Sequence, residues 1–174
     1  PEMASTLSPA APCCVNTEKI MGFRVTGLEP QAFEYLHALD DAALTKIGAV
    51  RVRVEQEHAA PCRISLEDAA PGECVILLNY QHQNADTPYR QQGPIFVRET
   101  HEKFDAANVI APTLRRRTLS LRGFDTGNMM IEADLTEGAE AEALIARIFT
   151  NQNVVYIHAH YARRGCFAAR IDRA

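Results

Sequence analysis

Two histidines and a cysteine close to the C-terminus, in the run Tyr156-Ile-His158-Ala-His160-Tyr-Ala-Arg-Arg-Gly-Cys166, are residue types able to hold a transition metal or to form a nucleophile and base pair. His158 and His160 stand two residues apart, so on an extended strand both side chains leave the same face. The turn decides where Cys166 points. A three-residue loop Arg163-Arg164-Gly165, with glycine left-handed, pairs Cys166 with Ala162 and places it diagonal to His160, on the histidine face with Ala168 and Arg170. A two-residue loop would turn it away, and Gly165 favours the longer one. Read for catalysis, His160 and Cys166 work with His82. Read for a metal, His158 and His160 are ligands to zinc or a similar ion, and a further ligand must come from His82, His101, Glu99 or Asp86. The plainer alternative, a half-buried face of hydrogen-bonded imidazoles, is favoured over the metal.

The second candidate is NYQHQNADTPYRQQGP, residues 79–94, which follows the apolar run Cys74-Val-Ile-Leu-Leu78. Thirteen residues separate Tyr80 from Pro94, a length at which a connection is either functional or mobile. Asn79, Tyr80, Asp86, Tyr89 and Arg90 supply donors, acceptors and a fixed positive charge for binding a polar or anionic ligand, and His82 adds a base that titrates near neutrality. The structural alternative is a loop held down by Arg90 pairing with Asp86 or Glu99. One pocket built from this loop and the C-terminal hairpin would make an enzyme for a small polar or anionic metabolite, anchored by Arg90, with His82 or His160 moving protons. The competing function is a non-catalytic ligand-binding module, or a homodimer pairing through an exposed strand or the hairpin. The two segments must meet for the first reading to stand.

Leu114-Arg115-Arg116-Arg117, with Arg122, could grip phosphate or carboxylate groups, although such a run more often marks a solvated or edge strand. Five cysteines without CxxC spacing read as free thiols in a reducing compartment. Cys62 and Cys74 are expected in the core, as are Met129 and Met130, whereas Cys13-Cys14 belongs to no motif.

The elements that would position these groups follow from periodicity. Residues 22–28 suit a first strand, and Pro30, Phe33, Leu36, Leu44 and Ile47 predict two short helices stopped by Gly48. Val50, Val52 and Val54 alternate with charged residues and predict a strand with one wet face. Residues 62–66 read as a short strand, 74–80 as a strand buried on both faces, and 95–97 as its continuation after Pro94. Two further strands, 114–124 and 129–135, are joined by a turn at 123–127. Thr136 is expected to cap a helix with the stripe Ala141, Leu144, Ile145 and Ile148, and 154–162 with 166–172 form a hairpin. These elements predict a single α+β domain over residues 21–174, mostly antiparallel, with two or three helices.

With 174 residues, 47% of them hydrophobic, the chain can bury one real core. The net charge of −4 argues against nucleic acid or an anionic membrane as a general partner. Pro1-Glu2 ahead of Met3 reads as a cloning or processing remnant, and residues 1–20, rich in Ser, Ala and Pro without a basic or apolar leader pattern, read as a disordered tail and not a secretory signal. No run approaches the roughly 18 apolar residues that span a bilayer, so a cytoplasmic location is expected.

Residues 61–99, PCRISLEDAAPGECVILLNYQHQNADTPYRQQGPIFVRE, and the closing GCFAARIDR resemble the bacterial family of small proteins termed domain of unknown function 1203. The likeness runs from about residue 21 to the end. It implies a bacterial origin and one domain, and it brings no activity, cofactor or catalytic residue with it.

Overall fold

The computed structural model describes residues 22–174, so the expected tail, with Cys13, Cys14 and Met21, lies outside the described residues. In chain order the elements are β1 (Phe23–Thr26), a 3-10 turn (Pro30–Ala32), α1 (Glu34–His37), α2 (Asp41–Lys46), β2 (Val50–Arg53), β3 (Cys74–Gln83), β4 (Gln91–Val97), β5 (Asp105–Ala107), α3 (Pro112–Arg115), β6 (Thr118–Phe124), β7 (Met130–Glu137), a second 3-10 turn (Gly138–Glu140), α4 (Ala141–Thr150), β8 (Tyr156–Tyr161) and β9 (Phe167–Arg173). The fold is α+β with antiparallel sheets and a C-terminal hairpin, β8–β9. No helix among the described residues is long and apolar enough to cross a membrane.

Six strands form one sheet in the order β5-β1-β9-β8-β6-β7, and β2-β3-β4 form a second. Strand β8 lies inside the larger sheet, and alternation sends Ile157, Ala159 and Tyr161 to one face and Tyr156, His158 and His160 to the other. The first face packs against Leu144, Ile145, Ile148 and Phe149 of α4 in the main core, the stripe expected from the sequence. The second face meets β3, so all six residues of β8 are buried. A smaller core under β2–β4 holds Phe33, Leu36, Leu44, Cys62, Ile76 and Ile95. Edge strand β7 exposes Ile131 and Leu135 but carries Glu132, Asp134 and Glu137, charges that would oppose one another if this edge paired with its own copy.

Several expected elements differ. Residues 62–66 are not a strand: Pro61 and Cys62 make isolated bridges to Asp68 and Phe96, and the chain between them turns. The arginine run is neither an edge nor a strand, because Pro112 starts the single turn α3 through Arg115 and β6 begins only at Thr118. Thr136 does not cap α4; β7 continues through Glu137, and the Thr136 hydroxyl donates to Glu137 O. Cys74 is exposed at the start of β3, so its strand is not buried throughout on both faces. Val50 is exposed too, Met129 is exposed and Met130 only half-buried. Strand character extends past Tyr80 to Gln83 and resumes at Gln91, which shortens the expected loop to residues 84–90.

Candidate functional site

The two predicted segments do meet. The His82 ring stacks on Phe167 at 4.9 Å between centroids and stands edge-on to His160 at 5.1 Å and His158 at 6.0 Å. What brings it there is a bulge: Tyr80 pairs with Gly93 and Gln83 with Gln91, so β3 carries one residue more than β4 over this stretch. Consecutive residues therefore both reach the larger sheet, His82 through Phe167 and Gln83 through its Nε2–H, which donates to Tyr156 Oη at 2.7 Å. Strict alternation would send one of them the other way. Tyr156 in turn donates to Asn128 Oδ1 at 2.8 Å, and Phe124 stacks on Tyr156 at 5.1 Å.

These rings fill the space between the sheets. His158 and His160 are 3% and 1% exposed. Burial, with the neighbouring imidazoles adding to it, holds the His158 pKa down at about 2. Burial also pushes His160 down to about 3, against the opposing effect of its hydrogen bond to the Gly165 carbonyl. That bond spans 3.0 Å, and since a carbonyl only accepts, Nδ1 carries the hydrogen. His82 is lowered as well, chiefly by burial; its Nε2 lies 3.3 Å from Gln91 Oε1, which also accepts from Arg122 Nη1 at 3.1 Å. The Nδ1 atoms of His82 and His158 are buried without a hydrogen-bond partner. At neutral pH the layer is uncharged. Among the described residues no group of three or more His, Cys, Asp or Glu is arranged to hold a metal ion, and none of the four cavities described borders His82, His158 or His160.

Cys166 is not part of this layer. The expected three-residue loop does not form: Gly165 is left-handed, at φ +74°, but Tyr161 N–H donates to Cys166 O, so Cys166 lies opposite Tyr161 and not Ala162, and β9 carries a second bulge, where Ala159 pairs with Ala169 and His160 with Phe167. The extra residue, Ala168, changes the alternation, so Phe167 takes the place opposite His160 that the expected register assigned to Ala168, and Cys166 turns to the other face. The Cys166 sulfur instead lies 3.2 Å from Arg63 Nη2, and the Arg63 guanidinium stands 5.0 Å over the ring of Tyr161, on the opposite face of the sheet from His160. Of the five ligand-binding candidates, Tyr80 packs on Phe33 at 5.6 Å, Tyr89 meets Phe124 edge-on at 6.3 Å, and Arg90 donates to Asn84 within its own loop at 3.2 Å. Asn79 and Asp86 are exposed. They do not converge on the histidines.

A cavity of about 360 Å³ opens where Cys166 does point, lined by His58, Ala59, Pro61, Arg63, Phe96, Arg116, Arg117, Thr118, Tyr161, Arg163, Arg164 and Cys166. No acidic residue is in the lining. Arg63 is 1% exposed, yet among the described residues it pairs with no carboxylate. Its Nε–H donates to Phe167 O at 2.8 Å, Nη1 donates to Pro61 O, and Nη2 donates to the Cys166 sulfur. A guanidinium has five N–H groups. Three acceptors leave one hydrogen on each terminal nitrogen, enough for a two-pronged grip on an oxyanion. The segment is pinned by backbone bonds, Leu28 N–H to Arg63 O at 2.7 Å and Arg63 N–H to Phe96 O at 3.0 Å. Gly27 allows the close approach of β1, since a Cβ there would fall 2.0 Å from Ile64 O.

Arg117 also faces the Tyr161 ring, at 5.2 Å, but the donors on its terminal nitrogens are spent. Its terminal nitrogens reach Asp68 Oδ1 at 2.6 Å and Oδ2 at 3.3 Å, Thr113 O at 2.8 Å and His58 O at 2.7 Å. Arg116 and His58 share the same buried carboxylate, each through Asp68 Oδ2. Arg163 and Arg164, on the hairpin turn, are exposed and enter no ion pair among the described residues. Sequence reasoning passed over Arg63, Tyr161, Arg163 and Arg164. One signal was present for Arg63, a single charge inside the otherwise uncharged run Pro61-Cys-Arg-Ile-Ser-Leu66.

The model of the family described as Protein of unknown function (DUF1203) matches residues 59–173. That span holds the imidazole layer and the whole cavity lining except His58. No curated protein and no solved structure matches the chain.

Proposed function

We propose, for a chain that belongs to the DUF1203 family, whose description assigns no activity, that it binds a small anionic molecule in the arginine-lined cavity between the hairpin turn and the 58–63 segment. The observation that carries this reading is Arg63. A buried charge is costly unless it is paired, and this one lies at a cavity wall with two N–H groups to spend and, among the described residues, no carboxylate to spend them on. A bound anion supplies both the missing charge and the missing acceptors. The proposed site thus keeps the anionic ligand and the hairpin of the initial expectation, and moves the pocket to the other face of the sheet.

Calorimetric titration of the whole chain with benzoate, inorganic phosphate and phenyl phosphate, with neutral phenol as control, tests this. The expected result is saturable one-to-one binding of at least one anion, no binding of phenol, and protection of Cys166 from alkylation by a neutral maleimide, read at that residue by peptide mass spectrometry. If no anion of the panel binds, or binding leaves Cys166 equally reactive, the proposal fails.

A second reading gives Cys166 a covalent role, favoured by the guanidinium donor directed at a sulfur in the cavity wall. Under it, Cys166→Ser keeps anion binding and loses any turnover. Retained turnover in that variant removes the second reading and leaves the first intact.

A further inference from the structure

The cavity's charge balance and its apolar wall narrow the ligand further, and this step rests on the anion-binding reading above. Five guanidinium groups line the space, and the one nearby carboxylate among the described residues, Asp68, is shared by Arg116 and Arg117. Arg63 at the wall and Arg163 with Arg164 at the turn have no carboxylate partner among the described residues. A single carboxylate ligand would satisfy Arg63 and leave the pair on the turn unanswered. A phosphate monoester carries about −1.5 to −2 charge at neutral pH and three acceptor oxygens, so one phosphate can take both N–H groups of Arg63 and still present an oxygen to the turn. Arginine's planar fork suits this use. Part of the remaining wall is apolar, from Ala59, Pro61 and Phe96, and that surface calls for a carbon body attached to the charged group.

We infer that the ligand is a small phosphate monoester with an apolar or aromatic body, its phosphate held between Arg63 and the Arg163-Arg164 turn and its body against Phe96 and Pro61. The hairpin turn fixes the outer half of this site: Gly165 N–H donates to Tyr161 O at 2.7 Å, and Gly165 takes a left-handed conformation, which sets both arginines on a short, constrained arc.

The test compares affinities of the whole chain for phenyl phosphate, benzoate and inorganic phosphate at one fixed ionic strength. Phenyl phosphate is expected to bind at least tenfold tighter than benzoate, and also tighter than inorganic phosphate. The double variant Arg163→Gln/Arg164→Gln changes two exposed side chains, so it should keep the wild-type urea midpoint while the preference for phenyl phosphate over benzoate falls to threefold or less. Equal binding of benzoate and phenyl phosphate overturns the phosphate assignment and leaves the anion site standing. Inorganic phosphate binding as tightly as phenyl phosphate overturns the role of the apolar wall. A double variant that keeps the full preference overturns the role of the turn. If none of the three binds, this inference and the anion-binding reading fall together.

Discussion

Two clusters of titratable side chains lie on opposite faces of strand β8, one filled and one open. On the His158 and His160 face, rings from both sheets close over each other and the imidazoles are held neutral. On the Tyr161 face, guanidinium groups surround about 360 Å³ of space, and one of them is buried without a carboxylate among the described residues. Residue type alone points to the histidines as the chemical site, because their ordinary pKa lies near neutrality. Burial reverses that ranking: an imidazole with no water and no counter-charge loses its proton and becomes packing, whereas a guanidinium keeps its charge in any surroundings. Arg63, which cannot deprotonate, is left with a buried charge and no counter-charge among the described residues.

If the filled face is packing, removing its central ring should cost much stability and leave ligand affinity alone. Phe167→Ala should destabilise the chain by about 4 kcal/mol, read by urea denaturation, with affinity for phenyl phosphate changed less than twofold because the Phe167 carbonyl that accepts from Arg63 is retained. A large loss of affinity at unchanged stability would put the imidazole layer, and not the arginine cavity, at the ligand. The same face predicts a pH dependence. His158 and His160 have folded pKa values of about 2 and about 3, below the unfolded value near 6.5. Between those limits the unfolded chain binds more protons, so stability is full above pH 6.5 and falls as the pH drops. From pH 6.5 to 4.5 the loss should be roughly 2 kcal/mol for each histidine, and His158→Phe should flatten the urea-midpoint profile by about half. An unchanged profile in that variant would show that other groups govern the acid side.

Much of the frame was legible in the sequence and the two faces were not, for reasons particular residues make plain. Ala141, Leu144, Ile145 and Ile148 mark the buried stripe of α4 because helical spacing is local, and Gly165 marks the hairpin loop because a left-handed residue there is a local requirement. The bulges have no such mark. One extra residue at β3 near His82 and another at Ala168 change which side chains share a face, and each depends on the partner strand. For that reason the two segments could be expected to meet, while Gly165 alone could not choose between the register that keeps Cys166 on the histidine face and the one that turns it away. The burial of Arg63 depends on a carbonyl 104 residues away, at Phe167, and no window of the sequence contains both.

Asp68 sharpens the contrast from the charged side. Its side chain is 6% exposed and accepts from Arg116, Arg117 and His58. Asp68→Asn removes the carboxylate that, among the described residues, offsets the cavity's charge, so anion affinity should rise about threefold while stability drops by about 2 kcal/mol, less than the ~3–5 kcal/mol for breaking a fully buried pair because Arg117 is partly exposed. Falling affinity would mean that Asp68 positions arginines for the ligand more than it competes with it.

The smallest expected effect belongs to Arg115, the first of the three consecutive arginines. The single turn α3 ends at this residue, and its guanidinium reaches out to Glu142 on α4, away from the cavity that Arg116 and Arg117 line. Both partners of that ion pair are substantially exposed, where such pairs contribute at most about 1 kcal/mol. Arg115→Gln should therefore move the urea midpoint by no more than about 0.5 kcal/mol and change phenyl phosphate affinity less than twofold, although it removes the same formal charge as Arg163→Gln. Equal losses in the two variants would mean that the molecule attracts anions through its overall field. Unequal losses would mean that specific donors hold the anion in place, since long-range attraction depends on net charge, which both variants change alike, and only a contact distinguishes one arginine from another.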